Sequence, residues 1–80
     1  MPQVRTLAVA KQLKYYRKKF RLTQTALAKM LNVDRTTYVY YETGKVIPSL
    51  KRIFQIADFY GIPYTALIDD YYKEVKNELL

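Results

Sequence analysis

Residues 23–45, TQTALAKMLNVDRTTYVYYETGK, hold two short helical segments punctuated by residues that start and stop them. Thr23 is suited to begin the first, because its hydroxyl accepts a hydrogen bond from an otherwise unpaired amide of the following turn. The segment runs from about Gln24 to Leu31 and sets Leu27, Ala28 and Leu31 on one face for burial. Asn32 tolerates the left-handed conformation that ends a helix, and Val33 plugs the turn after it. Asp34 caps a second segment lasting to about Thr43, which Gly44 stops. Tyr38 and Tyr41, three apart, point inward with the turn and leave positions 35, 36, 39 and 40 facing out.

Helical periodicity continues on both sides. Leu7, Leu13, Tyr16 and Phe20 predict a helix over roughly 7–20, with Lys11, Lys14, Lys18 and Lys19 between them. Downstream, Ser49 caps a fourth helix whose apolar stripe reads Leu50, Ile53, Phe54, Ala57 and Tyr60. Gly61 ends it, and Pro63 suits the start of a fifth, where it needs no amide partner. The β-prone run from Tyr38 to Tyr41 is too short for a strand and is capped as a helix. The expectation is an all-α, five-helix single domain over 1–80, with a core at 7–68 and a C-terminal extension at 69–80.

Composition excludes several classes. With no cysteine and no histidine, disulfides, thiolate chemistry, the usual zinc sites and histidine acid–base catalysis are absent. The carboxylates are few and scattered, and adjacent Asp69 and Asp70 diverge on a helix, so they read as a solvated acidic face, not a metal site. No nucleophile–base set suggests an enzyme, and no cofactor is implied. No apolar run approaches the ~20 residues that span a bilayer, and the N-terminus does not read as a signal peptide. A soluble, cytoplasmic protein without a membrane partner is expected.

Charge is segregated. Residues 1–55 carry twelve Lys/Arg against Asp34 and Glu42, whereas residues 56–80 carry two lysines against five carboxylates. A basic body with an acidic tail fits a polyanionic partner.

Two short helices joined by a tight turn, with small Ala28 in the first and Val33 after the turn, form a helix-turn-helix. Ala28 permits a close crossing, and Val33 and Tyr38 fix the angle. Over residues 13–67 the chain resembles the phage-repressor/Cro-type (xenobiotic-response-element type) helix-turn-helix family. The landmarks are Arg17, LTQ at 22–24, LA at 27–28, ETGK at 42–45, PSL at 48–50 and A-x-x-x-G-I at 57–62. The resemblance implies a compact five-helix bundle, dimeric on double-stranded DNA, with its third helix in the major groove.

Carried over by position, Arg35, Thr36, Val39 and Tyr40 would read bases. Arginine can fork onto a guanine edge, threonine can donate or accept, and valine can touch a thymine methyl. Gln24, Thr37, Thr43 and Lys45 fall where the family touches phosphates, with Lys14, Lys18 and Arg21 adding longer-range attraction. Arg17 and Glu42 match a family ion pair that ties the first helix to the end of the third. The chain departs from the family in Asn32 for glycine, Thr43 for asparagine, and Tyr38 and Tyr41 for aliphatic residues. The implied function is a transcriptional regulator, a repressor binding a near-palindromic operator as a homodimer.

Beyond Ile68 apolar residues continue at Tyr71, Val75 and Leu79 on one helical stripe, with Tyr72 and Leu80 beside it. Tyr71, Tyr72, Val75 and Leu79 are dimer-interface candidates. The same stripe also suits folding back on the domain, or holding a protein partner in an antitoxin-like or adaptor module. Most of the nine tyrosines fall at helix-core spacing, which argues against a base-stacking platform.

Overall fold

The computed structural model describes the backbone of residues 4–79 and the side chains of residues 7–78. Five helices follow in order: α1 Val4–Lys19, α2 Gln24–Leu31, α3 Arg35–Thr43, α4 Leu50–Tyr60 and α5 Thr65–Leu79. No strand occurs among the described residues, and no helix is long and apolar enough to cross a membrane.

Three helices end in the same way. Arg21, Asn32 and Gly61 adopt the left-handed conformation, with φ of 57°, 56° and 68°. In each case the residue's amide donates three residues back, to the carbonyl of Lys18, Lys29 or Asp58. The next residue donates five back, to Arg17, Ala28 or Ala57. This closes the orphan carbonyls of the last turn and swings the chain inward. The residues that follow, Leu22, Val33 and Ile62, all pack against the core. Asn32 and Gly61 were legible as stops; Arg21 was not, since arginine carries no such signal.

Two starts follow the expected capping. Thr23 Oγ1 accepts from Ala26 N at 3.0 Å and Ser49 Oγ from Arg52 N at 3.3 Å. Asp34 has the extended backbone of a cap, but its side chain makes no capping bond. Its carbonyl accepts from Tyr38 N instead.

The core gathers Val9 and Leu13 of α1, Leu27, Ala28 and Leu31 of α2, Tyr38 and Tyr41 of α3, Ile53, Ile56, Ala57 and Tyr60 of α4, and Leu67 of α5. The α4 stripe departs from expectation. Ile56 is fully buried, while Leu50 and Phe54 stand 57% and 43% exposed. This helix is apolar on more than one face, so spacing alone does not choose between them. Arg52, beside this buried arc, donates from its guanidinium to the Leu31 carbonyl at 2.9 Å and ties α4 to the end of α2, with Ile53 and Ile56 buried. Phe20, expected in the α1 stripe, lies past the helix end and is 44% exposed.

The tail beyond Ile68 is not a separate extension. α5 is one helix laid along α1, Tyr71 packs against the core, and Val75 is half-buried. Of the described dimer candidates, Tyr71 and Val75 are thus partly covered within one copy, and Tyr72 points into solvent, 61% exposed. The Leu79 side chain and all of Leu80 lie outside the described residues. Tyrosine burial is also narrower than expected: Tyr38, Tyr41 and Tyr60 are buried, while Tyr15, Tyr64 and Tyr72 are exposed.

The shared helix ending is open to test. Arg21→Gly should raise stability by about 1 kcal/mol by relieving the left-handed strain, whereas Gly61→Ala should lower it by a similar amount. A Cβ at Gly61 meets nothing within 4 Å, so its cost is backbone strain alone. Urea unfolding of both variants reads the two signs.

Candidate nucleic-acid interface

α3 sits on the bundle by one face. Tyr38, Tyr41 and Glu42 are buried, whereas Arg35 and Thr36 are exposed and Thr37, Val39 and Tyr40 are half-buried. The four candidate base-reading positions, Arg35, Thr36, Val39 and Tyr40, thus share the side away from the core. Thr43 and Lys45 are exposed at the far end of this helix, and Gln24 is half-buried at the start of α2.

A chain of polar contacts joins the helices. Arg17 Nε and Nη2 fork onto the two Glu42 carboxylate oxygens at 2.6 and 3.0 Å, and Arg17 Nη1 donates to the Leu22 carbonyl at 2.9 Å. Gln24 Nε2 donates to Glu42 Oε1 at 3.3 Å, and Arg35 Nη2 donates to Gln24 Oε1 at 3.3 Å. One path therefore runs from α1 through the end of α3 and the start of α2 to the first residue of α3. The pairing of Arg17 with Glu42 is the one implied by the family resemblance. The bridging by Gln24 was not legible in the sequence, because the two residues it joins lie 18 positions downstream and 11 positions downstream of it.

The electrostatics follow from burial. Desolvation favours the neutral form of Glu42, but the hydrogen bonds and charge of Arg17 outweigh it, holding the carboxyl below its ordinary value. Hydrogen bonding to Glu42 reciprocally raises Arg17. Burial pushes the Tyr38 phenol well up, with the Glu42 charge adding to it. The Tyr38 hydroxyl stays outside hydrogen-bonding geometry. Burial, and after it the Glu42 charge, raises Tyr60 to about 12. Both phenols are neutral at physiological pH.

At the other end of α3 the Lys45 ammonium lies 4.4 Å from the centroid of the Tyr40 ring. That cation–π contact keeps a positive charge beside the outward face. Thr43 Oγ1 donates to the Tyr40 carbonyl at 3.3 Å, so its hydroxyl is engaged within its own helix. Lys14, Lys18 and Arg21 are exposed. The arrangement offers a forked donor, a hydroxyl and apolar surface on one helix face, flanked by cations, which are the group types that meet base edges and phosphates in duplex recognition.

Residues 13–67 match the helix-turn-helix family. Over 51 residues the chain is 53% identical to an uncharacterized HTH-type transcriptional regulator of Methanocaldococcus jannaschii, covering 64% of this chain and 77% of that protein. Over 46 residues it is 48% identical to an uncharacterized HTH-type transcriptional regulator of Archaeoglobus fulgidus, covering 58% and 65%. It is also 37% identical over 49 residues to the cryptic phage CTXphi transcriptional repressor RstR of Vibrio cholerae, covering 61% and 44%. The chain thus spans less than two thirds of the second protein and less than half of the third. No solved structure matches it.

The buried pair predicts an acid limb in the stability curve. Glu42 has a folded pKa below its ordinary 4.5, so its stabilisation is complete above that value and fades as pH falls through the folded one. Glu42→Gln should cost about 3 kcal/mol at neutral pH by stranding Arg17, and its stability should fall less steeply below pH 4.5 than that of the wild type. Urea titrations across pH read both effects.

Proposed function

The chain belongs to the Cro/C1-type helix-turn-helix family of DNA-binding transcriptional regulators, and from that premise we propose that it is a cytoplasmic repressor binding a near-palindromic operator as a homodimer. The observation that carries the reading is the outward face of α3, where Arg35 and Thr36 are exposed while Tyr38 and Tyr41 hold the helix from beneath. In this proposal Arg35 forks onto a guanine, Thr36 meets an adjacent base edge, and Val39 and Tyr40 provide apolar contact along the groove. Thr37 and Lys45 hold the phosphates on either side, with a weaker share for Thr43, whose hydroxyl is already engaged.

Gln24 would serve twice. Its amide nitrogen has two N–H groups and one is given to Glu42. The other can meet a phosphate without releasing the bridge, and the α2 N-terminus adds its own positive dipole there. Arg17 and Glu42 hold the frame in which Gln24 and Arg35 are set. The acidic residues gather toward α5, so orientation on the duplex is favoured electrostatically as well as by shape.

Selection of bound duplexes from a random pool, followed by titrations on the selected site and on random DNA, tests the proposal. Arg35→Ala should cost about 1–3 kcal/mol on the selected site and little on random sequence. Lys45→Ala should weaken both alike and flatten the salt dependence by about one unit. A pool that yields no preferred duplex, or equal losses for both variants on both DNAs, would overturn this reading.

A further inference from the structure

Aromatic rings meet where α1 and α4 end. Tyr60, buried in the last turn of α4, touches three of them: Tyr16 at 5.8 Å between centroids, Phe20 at 4.7 Å and Phe59 at 5.2 Å. Tyr16 in turn meets Tyr15 edge to face at 5.1 Å. Tyr60 and the half-buried Tyr16 form a floor, around which Tyr15, Phe20 and Phe59 stand 55%, 44% and 46% exposed. None of these exposed rings belongs to the candidate nucleic-acid interface. Cations border them. The Lys19 ammonium lies 5.9 Å from the Tyr15 centroid and 6.0 Å from that of Tyr16. Lys18, three residues after Tyr15, shares its side of α1, and exposed Arg21 follows Phe20 at the left-handed helix end. Among the described residues no carboxylate is paired with Lys18, Lys19 or Arg21.

We infer that this cluster is a docking site for a short acidic segment of another polypeptide, one that carries aromatic or branched aliphatic side chains among its carboxylates. Charge is the first argument. The two contributing stretches, 14–21 and 57–61, hold Lys14, Lys18, Lys19 and Arg21 outside the Arg17–Glu42 pair, against the single acid Asp58. Carboxylates of the segment meet these ammonium and guanidinium groups while its apolar side chains cover the rings. The rings add to this, because their edges carry the positive part of the aromatic quadrupole.

Area is the second argument. Buried aromatic side chains cover ~150–250 Å² each, so three rings about half exposed leave roughly 300 Å² of apolar surface in water. A patch of that size is commonly a functional one, yet it falls well short of the ~800 Å² per partner of a stable interface between folded domains. It suits a short segment. Ring geometry disfavours a single nucleic-acid strand, which needs open ring faces for successive bases. Tyr16 lies against Tyr60 at an interplanar angle of 29°, Lys19 lies over Tyr15, and Phe20 and Phe59 lean on Tyr60 at 53° and 64°. The same cations disfavour pairing of this cluster with its own copy, since like charges would be set against each other.

Calorimetric titration and two-dimensional NMR of the full chain test the assignment. The probe is a synthetic peptide in which Glu alternates with Phe and Leu, and its control carries Gln at every Glu. The acidic peptide should shift the ring resonances of Tyr15, Phe20 and Phe59, and the control should bind about tenfold more weakly or not at all. Tyr15→Ala and Phe59→Ala, at exposed positions, should each weaken the acidic peptide about tenfold while keeping the helical circular dichroism, and Lys19→Gln should weaken it too. Tyr72→Ala, an exposed ring on α5, and Arg35→Ala, on the outward face of α3, should leave it bound as before. No binding, equal affinity for both peptides, or a loss from Arg35→Ala in place of Tyr15→Ala overturns the inference. So does an oligothymidine strand or a phosphatidylserine vesicle that shifts the same rings and displaces the peptide, which would give the cluster to a nucleic acid or a membrane.

Discussion

The Arg17–Glu42 pair is the constraint on which the rest of the structure turns. Glu42 is a carboxylate buried at the end of α3, and without a partner it would be expelled or protonated. Arg17 meets it with two nitrogens and uses a third on the Leu22 carbonyl, so one side chain fixes the end of α3, the turn after α1 and their distance. Such a pair gives little net stability, because desolvation offsets most of its attraction. What it gives is direction. A buried fork has few acceptable geometries, whereas apolar contacts around Tyr38 and Tyr41 would tolerate small rotations of α3.

The left-handed helix ends at Arg21, Asn32 and Gly61 complement that pair. Each converts a helix stop into a hydrophobic anchor one residue later, so Leu22, Val33 and Ile62 set where the following chain departs. The angle between α2 and α3 is thereby determined twice: by Val33 beneath the turn and by the Gln24 bridge above it. In the proposed role of α3 this redundancy matters, since hydrogen bonds weaken steeply as distance and angle depart from ideal.

Local signals were legible in proportion to how local their cause is. Thr23, Asn32, Ser49, Gly44 and Gly61 act on their own few residues, and the sequence placed them correctly. So were the inward Tyr38 and Tyr41, because a nine-residue helix held by one face has few choices. The errors arose where two faces competed. α4 carries a wide apolar arc, and which part of it is covered depends on docking, where Arg52 reaches a carbonyl 21 residues away. The stripe at Ile68, Tyr71 and Val75 was legible as a stripe with folding back among its alternatives, and α5 lies along α1, a contact between opposite ends of the chain that spacing does not announce. Gln24 shows the same limit at the candidate site: the family resemblance implied a phosphate ligand there, while its bridging bonds depend on how α2 and α3 are docked.

Preorganisation links these observations to recognition. A free arginine side chain carries ~2 kcal/mol of rotamer entropy, part of which is lost when it forks onto a base. In this protein Arg35 is already drawn toward Gln24 before any duplex is present, and Gln24 is set by Glu42, which is set by Arg17. Part of the ordering cost is then met during folding: the pair at Glu42 is buried in the frame, whereas Arg35 stays exposed and is restrained by a single bond. The contact to Gln24 uses one Arg35 nitrogen and leaves the other donors of the guanidinium for a base edge. In the proposed role at a base edge, such a restraint narrows the directions from which the guanidinium approaches, because the rotamers that keep the Gln24 bond are fewer than those of a free arginine.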